Sequence, residues 1–251
     1  MEGKIKKVFM AFGLLLVSIT VFSITLCAQE VITQRTGPIK ITKPDGSVLT
    51  VGKEEALPDI PSGSTVEVLS GGIEVKPLEG FIQVVVGDSI AAVKAGDRAT
   101  ASMEPKKRMA DFKVEAGQIN IITGNTTTTV KAGQQVQIGL DRDTGVTEVK
   151  SIKGSIETVT VGVKVSVPQD AIAKISADAK TRNVHVESVN GYIVVTPIDG
   201  KVIMLAKAES IDTEAKAEGE IQTFAEAAVP LFVPVEEPAE PERPEASPFR
   251  P

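Results

Sequence analysis

GFIQVVVGDSIAAVKAGDRATA, residues 80–101, aligns without a gap on GQINIITGNTTTTVKAGQQVQI, residues 117–138. Gly87 falls on Gly124, and Val93-Lys94-Ala95-Gly96 falls on Val130-Lys131-Ala132-Gly133. The opening glycines belong to a series, Gly80, Gly117, Gly154 and Gly191, spaced by 37 residues and each followed two positions later by Ile. Self-similarity at a fixed period marks a repeat architecture. The third and fourth units, opening GSIET and GYIVV, keep mainly this Gly-x-Ile start. Looser copies at Gly37, Gly71 and Gly219 fall off the period and are not counted as units.

Within the units apolar residues alternate, as a strand with one buried face requires. The clearest run is Val159, Val161, Val163, Val165 and Val167, with Thr160, Gly162, Lys164 and Ser166 between them. Phe112, Val114 and Ala116 alternate up to Gly117, and Ile119 and Ile121 resume out of phase, which predicts a turn or bulge with positive φ at the glycine. LEG, TGN, KAG, VNG and DG are turn chemistry between short strands. The fold expected is all-β: repeated β-hairpins forming a β-solenoid or a two-sheet sandwich, since both give alternating strands at a fixed period. Residues 206–228 suit strand or a short helix, with strand preferred.

The two ends read differently. Lys4, Lys6 and Lys7 precede an uncharged run from Val8 to Ala28, the layout of a secretory signal. At about 21 residues the run also equals the span of a bilayer roughly 30 Å thick, so residues 1–28 read as a signal peptide or a membrane anchor. Cys27, the single cysteine, stands where a lipidated cysteine would, although Leu26 before it is larger than such sites use. Cleavage after Ala28 leaves no thiol for disulfide or metal chemistry. From residue 229 the chain carries Pro at 230, 234, 238, 241, 244, 248 and 251 with Glu between, which predicts a disordered Pro/Glu-rich tail over 229–251.

The chain offers little to a catalyst: one His, one Cys, no Trp and one Tyr. His185 lies between Val184 and Val186, so on a half-buried strand it points outward as a surface residue. Asp141-Arg142-Asp143-Thr144-Gly145 has two of the alternating oxygen ligands of a calcium loop and lacks the rest, and it reads as a hairpin turn. Asp45-Gly46 and Asp199-Gly200 are further turn pairs. Phe81 and Tyr192 share the position after the unit glycine, where they either contact a glycan or peptide or fill the end of a layer. No catalytic, cofactor-binding or metal-ligating residue is assigned, and no cofactor is expected. A net charge of −6, from 27 basic and 33 acidic residues, with no basic block beyond Lys106-Lys107-Arg108, argues against a nucleic-acid partner. That short run reads as a solvated loop.

LPDIPSGSTVEVLSGGIEV and KVEAGQINIITGNTTTTVKAGQQVQIGLDRDTG resemble the periplasmic FecR domain, over about residues 37–147. The resemblance implies a β-rich envelope domain that binds a partner protein and, in iron-uptake systems, relays a signal to a sigma factor. With only a few residues before the apolar run, the cytoplasmic sigma-binding part of that scheme has no counterpart here. ISADAKTRNVHVESVNGYIVVTPIDGKVIMLAKAESIDTEAKAEGEI is similar to lipopolysaccharide-transport β-jellyroll proteins, which implies a groove for acyl chains. The expectation is an exported, periplasmic, non-enzymatic envelope protein: a FecR-like β domain over 37–147, further repeats over 148–228, and function through a protein or polymer partner. Membrane contact is expected only through an uncleaved N-terminal segment. A lipid-carrying transport component and a self-assembling structural protein are the alternatives.

Overall fold

The computed structural model describes residues 31–104, 108–178, 183–198 and 200–214. The segment 1–28, Lys106, Lys107, Asp199 and the tail 229–251 lie outside them. Among the described residues there are strands and turns and no helix. The strands are β1 (Ile32–Arg35), β2 (Ile39–Thr42), β3 (Val48–Val51), β4 (Thr65–Val68), β5 (Gly72–Val75), β6 (Phe81–Val86), β7 (Ser89–Lys94), β8 (Arg98–Glu104), β9 (Met109–Ala116), β10 (Gln118–Thr123), β11 (Thr126–Lys131), β12 (Gln135–Asp141), β13 (Val146–Lys153), β14 (Ile156–Thr160), β15 (Val163–Val167), β16 (Ile172–Asp178), β17 (Asn183–Asn190), β18 (Ile193–Thr196), β19 (Ile203–Leu205) and β20 (Ser210–Glu214).

The strands form two sheets. The first runs β1-β5-β8-β9-β12-β13-β16-β17-β20 and the second β19-β18-β15-β14-β11-β10-β7-β6-β4-β2-β3. The architecture is therefore the two-sheet sandwich. Each full unit lays a hairpin in the second sheet and then a hairpin in the first: β6–β7 then β8–β9, β10–β11 then β12–β13, β14–β15 then β16–β17. Adjacent hairpins pair antiparallel, and β4 with β6 is the parallel exception. Both sheets continue across residues 147 and 148, which lie inside β13. In the stretch 206–228, the described part is a turn followed by strand β20.

Between the sheets Ile82, Val84, Ile119, Ile121, Val163 and Val165 of the second meet Phe112, Val114, Val136, Ile138, Ile175 and Val186 of the first in one continuous core. Fully burying such a side chain stabilises the fold by about 1.5–3 kcal/mol. The core of the second sheet also carries hydroxyls, which a burial argument alone would exclude. They satisfy one another across neighbouring units: Ser89 Oγ to Thr123 Oγ1 at 2.7 Å, Thr126 to Thr160 at 2.8 Å and Thr128 to Thr158 at 3.1 Å.

The valine run at 159–167 is a hairpin and not one strand. Thr160 pairs with Val163 across a two-residue turn of Val161 and Gly162, so Val159 faces outward and Thr160 inward. The inward positions change parity at the turn, from 156, 158 and 160 to 163, 165 and 167, and the valines keep one parity only because Val159 is an outward residue and Val161 a turn residue.

The corners between sheets line one long side of the sandwich. The unit glycines sit where the chain leaves the first sheet. Gly117 has φ 75° and a Cβ on it would collide with the Asp97 carboxylate. The opposite crossing is a four-residue turn, Lys94–Asp97, Lys131–Gln134, Pro168–Ala171 and Ala206–Glu209, closed by a hydrogen bond of 3.0–3.1 Å from the fourth N–H to the first carbonyl. In three of the four turns the fourth side chain accepts the first residue's N–H: Asp97 at 3.1 Å, Gln134 at 2.7 Å and Glu209 at 2.7 Å. The remaining turn begins with Pro168, which has no N–H, and ends with Ala171, which has no acceptor. Asp97 Oδ1 also accepts the N–H of Gln118 at 3.2 Å, and Gln134 Nε2 donates to the Ser155 carbonyl at 2.7 Å, so these residues tie each unit to the next.

Hairpin tips meet along the opposite side. The second sheet turns at Gly87-Asp88, Gly124-Asn125 and Val161-Gly162. Met103 Cε stands 3.1 Å from where a Cβ on Gly87 would be, and Leu140 Cδ1 stands at 3.1 Å from the same point on Gly124. One period later the residues equivalent to Gly124 and Leu140 are Val161 and Ala177, a larger residue in the turn and a smaller one facing it. Arg142, in the β12–β13 turn, donates from Nε to Asp88 Oδ1 at 2.8 Å and from Nη2 to the same oxygen.

Candidate binding surface

The two outer faces differ. That of the first sheet is charged and cross-paired: Glu148 stands opposite Lys174, Lys174 opposite Glu187, and Gln135 Nε2 donates to Asp111 Oδ1 at 2.8 Å. Toward its β1 edge Glu74 is buried beneath Thr33 and Arg98. Thr33 Oγ1 donates to Glu74 Oε1 at 2.5 Å, Arg98 Nε donates to the same oxygen at 2.8 Å, and Arg98 also pairs with Glu115 at 3.1 Å. The Thr33 hydroxyl first, and then Arg98, hold the Glu74 carboxyl below the usual glutamate range. Beside it is an open depression of about 350 Å³ lined by Gln34, Thr36, Glu74, Thr100, Ser102 and Met103. With its one buried carboxylate already neutralised by Arg98, this depression offers no free charge to a ligand.

The outer face of the second sheet carries an apolar row. Strand register places Val85 opposite Ile90, Ile90 opposite Ile122, Ile122 opposite Thr127 and Thr127 opposite Val159. Five strands at about 4.8 Å spacing make a stripe roughly 19 Å long, running along the sandwich. Ile90 is 41% exposed and Ile122 38%. Val85, Ile122 and Val159 are equivalent residues of three successive units, 37 apart. In the next outward row Gln83, Asn120, Thr129 and Glu157 are polar, with the small Ala92 in register between Gln83 and Asn120. The core has no use for a β-branched apolar residue at an outward position, so its recurrence in three units makes this face the candidate surface, ahead of any single exposed side chain.

The residues weighed from sequence are dispersed. His185 is on the outer face of the first sheet with Nδ1 2.8 Å from Asp212 Oδ1 across β17 and β20. Asp141 Oδ1 accepts the N–H of Asp143 at 3.0 Å and of Thr144 at 3.4 Å, which makes the 141–145 segment a hairpin turn with its carboxylate already occupied. Hydrogen bonding from Thr144 and Asp143 lowers the Asp141 pKa. Tyr192 is 54% exposed at the corner before β18, and Phe81 is half-buried at the equivalent corner. Arg108 is an exposed turn residue with φ 51°. Asp45 caps its turn by accepting the Ser47 N–H at 2.8 Å. Among the described residues no group of three or more His, Cys, Asp or Glu is arranged to hold a metal ion, and no helix is long and apolar enough to cross a membrane.

Sequence reasoning missed the apolar row because Val84-Val85-Val86 and Ile121-Ile122 are continuous apolar runs in which facing is hidden. The signal was present in the repeat: comparing outward positions at the 37-residue spacing isolates 85, 122 and 159. No protein family, no curated protein and no solved structure matches the chain.

Proposed function

We propose that this is an exported, non-enzymatic envelope protein, FecR-like in its N-terminal units, that binds a protein or polymer partner across the outer face of its second sheet. The observation that carries the reading is the apolar row Val85, Ile90, Ile122 and Val159 on a face that none of the described residues covers. The Lys-rich start and apolar run over 4–28 support export. A flat stripe flanked by amides and hydroxyls suits an extended partner, with apolar contact supplying affinity and the polar row fixing register.

The test is expression of the tagged full chain in a Gram-negative host, with fractionation, mass spectrometry of the N-terminus, and a photo-crosslinking residue at position 122 or, as control, at position 150 on the opposite face. The expected result is a periplasmic or membrane-anchored protein that crosslinks one discrete species from 122 alone. Ile90→Asp with Ile122→Asp is expected to remove that species at unchanged circular dichroism and melting temperature. Cytoplasmic retention, or equal crosslinking from both faces, overturns the reading.

The lipid-carrying alternative calls for inward rows that line a groove, and here those rows pack on each other, with Val163 fully buried. A lipid crosslink from a probe at 163 would revive it. Self-assembly draws support from β3, an edge strand with Val48 and Leu49 exposed. Sedimentation that stays monomeric at high concentration would remove it.

A further inference from the structure

The depression beside Glu74 marks a point where one unit departs from the next. Strand register sets Gln34 opposite Glu74, Glu74 opposite Thr100 and Gly72 opposite Ser102, on the outer face of the first sheet across β1, β5 and β8. One period of 37 residues later, the counterparts of Gly72, Glu74 and Ser102 are Met109, Asp111 and Gly139. There the methionine covers the face, its Cγ 3.2 Å from where a Cβ on Gly139 would stand. Gly72 has no positive φ that would call for glycine, and a Cβ on it would stand 2.8 Å from Ser102 Cβ. The first unit therefore has an open floor where the second has a side chain.

The two carboxylates differ in the same way. Asp111 is fully occupied: Gln135 Nε2 donates to Oδ1 at 2.8 Å, and Oδ2 accepts from Gln135 at 3.1 Å and from Gln137 at 3.2 Å. Glu74 is only 6% exposed, yet Thr33 and Arg98 both donate to Oε1, and among the described residues none donates a hydrogen bond to Oε2. No enclosed side-chain oxygen of the described residues lacks a partner, so Oε2 opens into the depression that Glu74 lines. The Gln34 amide and the Thr100 and Ser102 hydroxyls around it likewise bond to no described residue.

The charges around these groups cancel. Arg98 pairs with Glu74 and Glu115, and Lys113 pairs with Glu115 at 3.1 Å, two acids against two bases. An ion gains little at such a place. The groups left free call instead for a molecule that donates to a carboxylate oxygen and exchanges hydrogen bonds in both senses with hydroxyls and an amide. A sugar hydroxyl does both, and the volume of about 350 Å³ is in the range of small-ligand sites. We propose that this depression binds an uncharged sugar unit of a glycan, with Glu74 Oε2 accepting one hydroxyl and Gln34, Thr100 and Ser102 engaging its neighbours. The site lies on the opposite sheet from the apolar row and stands independently of the face-binding reading.

The experiment titrates the full chain, labelled with nitrogen-15, with glucose, galactose, mannose and N-acetylglucosamine, and follows its amide resonances. Saturable shifts at Glu74, Thr100 and Ser102 are expected with at least one sugar, at a dissociation constant on the order of 1–10 mM. Thr100→Val with Ser102→Ala should weaken that binding about tenfold. Glu74→Gln, which presents a donor where Oε2 accepts, should weaken it by a similar factor. The unchanged remainder of each spectrum checks that the variants are folded, and Ile90→Asp with Ile122→Asp should leave sugar binding as it is. No saturable shift with any of these sugars overturns the proposal, as does binding that the Thr100, Ser102 and Glu74 variants leave intact. Shifts at the site from a tetra-alanine peptide and none from the sugars would make the occupant a peptide and reject the sugar.

Discussion

Replacing Gly124 by valine tests whether the contact between hairpin tips holds the sandwich shut. Gly124 has φ 56°, and a Cβ there stands 3.1 Å from Leu140 Cδ1 and 3.6 Å from Thr147 Oγ1. A side chain in the left-handed region costs about 1–2 kcal/mol. Forcing extra carbon into a filled space costs about 1–3 kcal/mol more. Gly124→Val should therefore destabilise by about 2–5 kcal/mol. Leu140→Ala alone, at a half-buried site, should cost about 1–2 kcal/mol, below the range for fully buried leucines. In the double variant the valine occupies the space the leucine vacates, so the sum is not expected. The combination should cost about 2 kcal/mol less than the two single effects added, a coupling well outside the roughly 0.3–0.5 kcal/mol scatter of independent sites. The protein itself contains this pair one period later, as Val161 with φ 45° and Ala177. Urea unfolding followed by circular dichroism measures all four chains, with equal slopes required for comparison. Additive costs would refute the argument that turn and facing residue are matched in volume.

Three further outcomes follow from particular contacts. Asp97→Ala removes acceptors for the Lys94 and Gln118 N–H groups and should cost about 1 kcal/mol, as loss of a helix cap does. Adding Lys94→Pro, which reproduces the Pro168/Ala171 turn, should cost nothing more by urea unfolding, and a further loss would reject the capping role. Thr123→Val strands the buried Ser89 hydroxyl and should cost about 1–3 kcal/mol, with most of it recovered by adding Ser89→Ala. Glu74 has a folded pKa below its unfolded value of about 4.3, so its ion pair contributes stability above that pH and loses it as pH falls through the lower folded value. Glu74→Gln should flatten the stability-versus-pH curve in that acid window and leave its slope near neutrality unchanged, as followed by thermal melts across pH.

The sequence made the repeat legible where the backbone demands a residue type and obscured it where side chains compensate. Gly80, Gly117, Gly154 and Gly191 could be found by spacing because each takes positive φ at a corner. The hairpin at Val161-Gly162 was hidden because Val161 replaces the glycine that marks the turn in earlier units, and because the outward Val159 has the same parity as the inward Val163, Val165 and Val167, so the phase change at the turn leaves no break in the run of valines. Choosing sandwich over solenoid needed the strand pairing, since a period counts residues and does not say which sheet each hairpin joins. The Asp97 and Gln134 ties were visible in principle. They share a repeat position three residues after a donor, and the unit that lacks the acceptor also lacks the donor.

That pattern of paired change bears on function. In the third unit the drift from the first two is compensated twice, by Val161 with Ala177 and by Pro168 with Ala171, so inward and corner positions can diverge while the backbone stays the same. An outward position has no facing partner to compensate for it and is free to become Lys, Glu or Ser, as Lys164, Glu157 and Ser166 have on β14 and β15. Positions 85, 122 and 159 have the same freedom and hold Val, Ile and Val. Strand propensity favours β-branched residues there, yet threonine serves propensity equally well and is what the same outward position holds at Thr196. Hydrocarbon is thus retained at this outward position through three consecutive units, on the alternate strands β6, β10 and β14, which is the pattern the proposed partner-binding face requires.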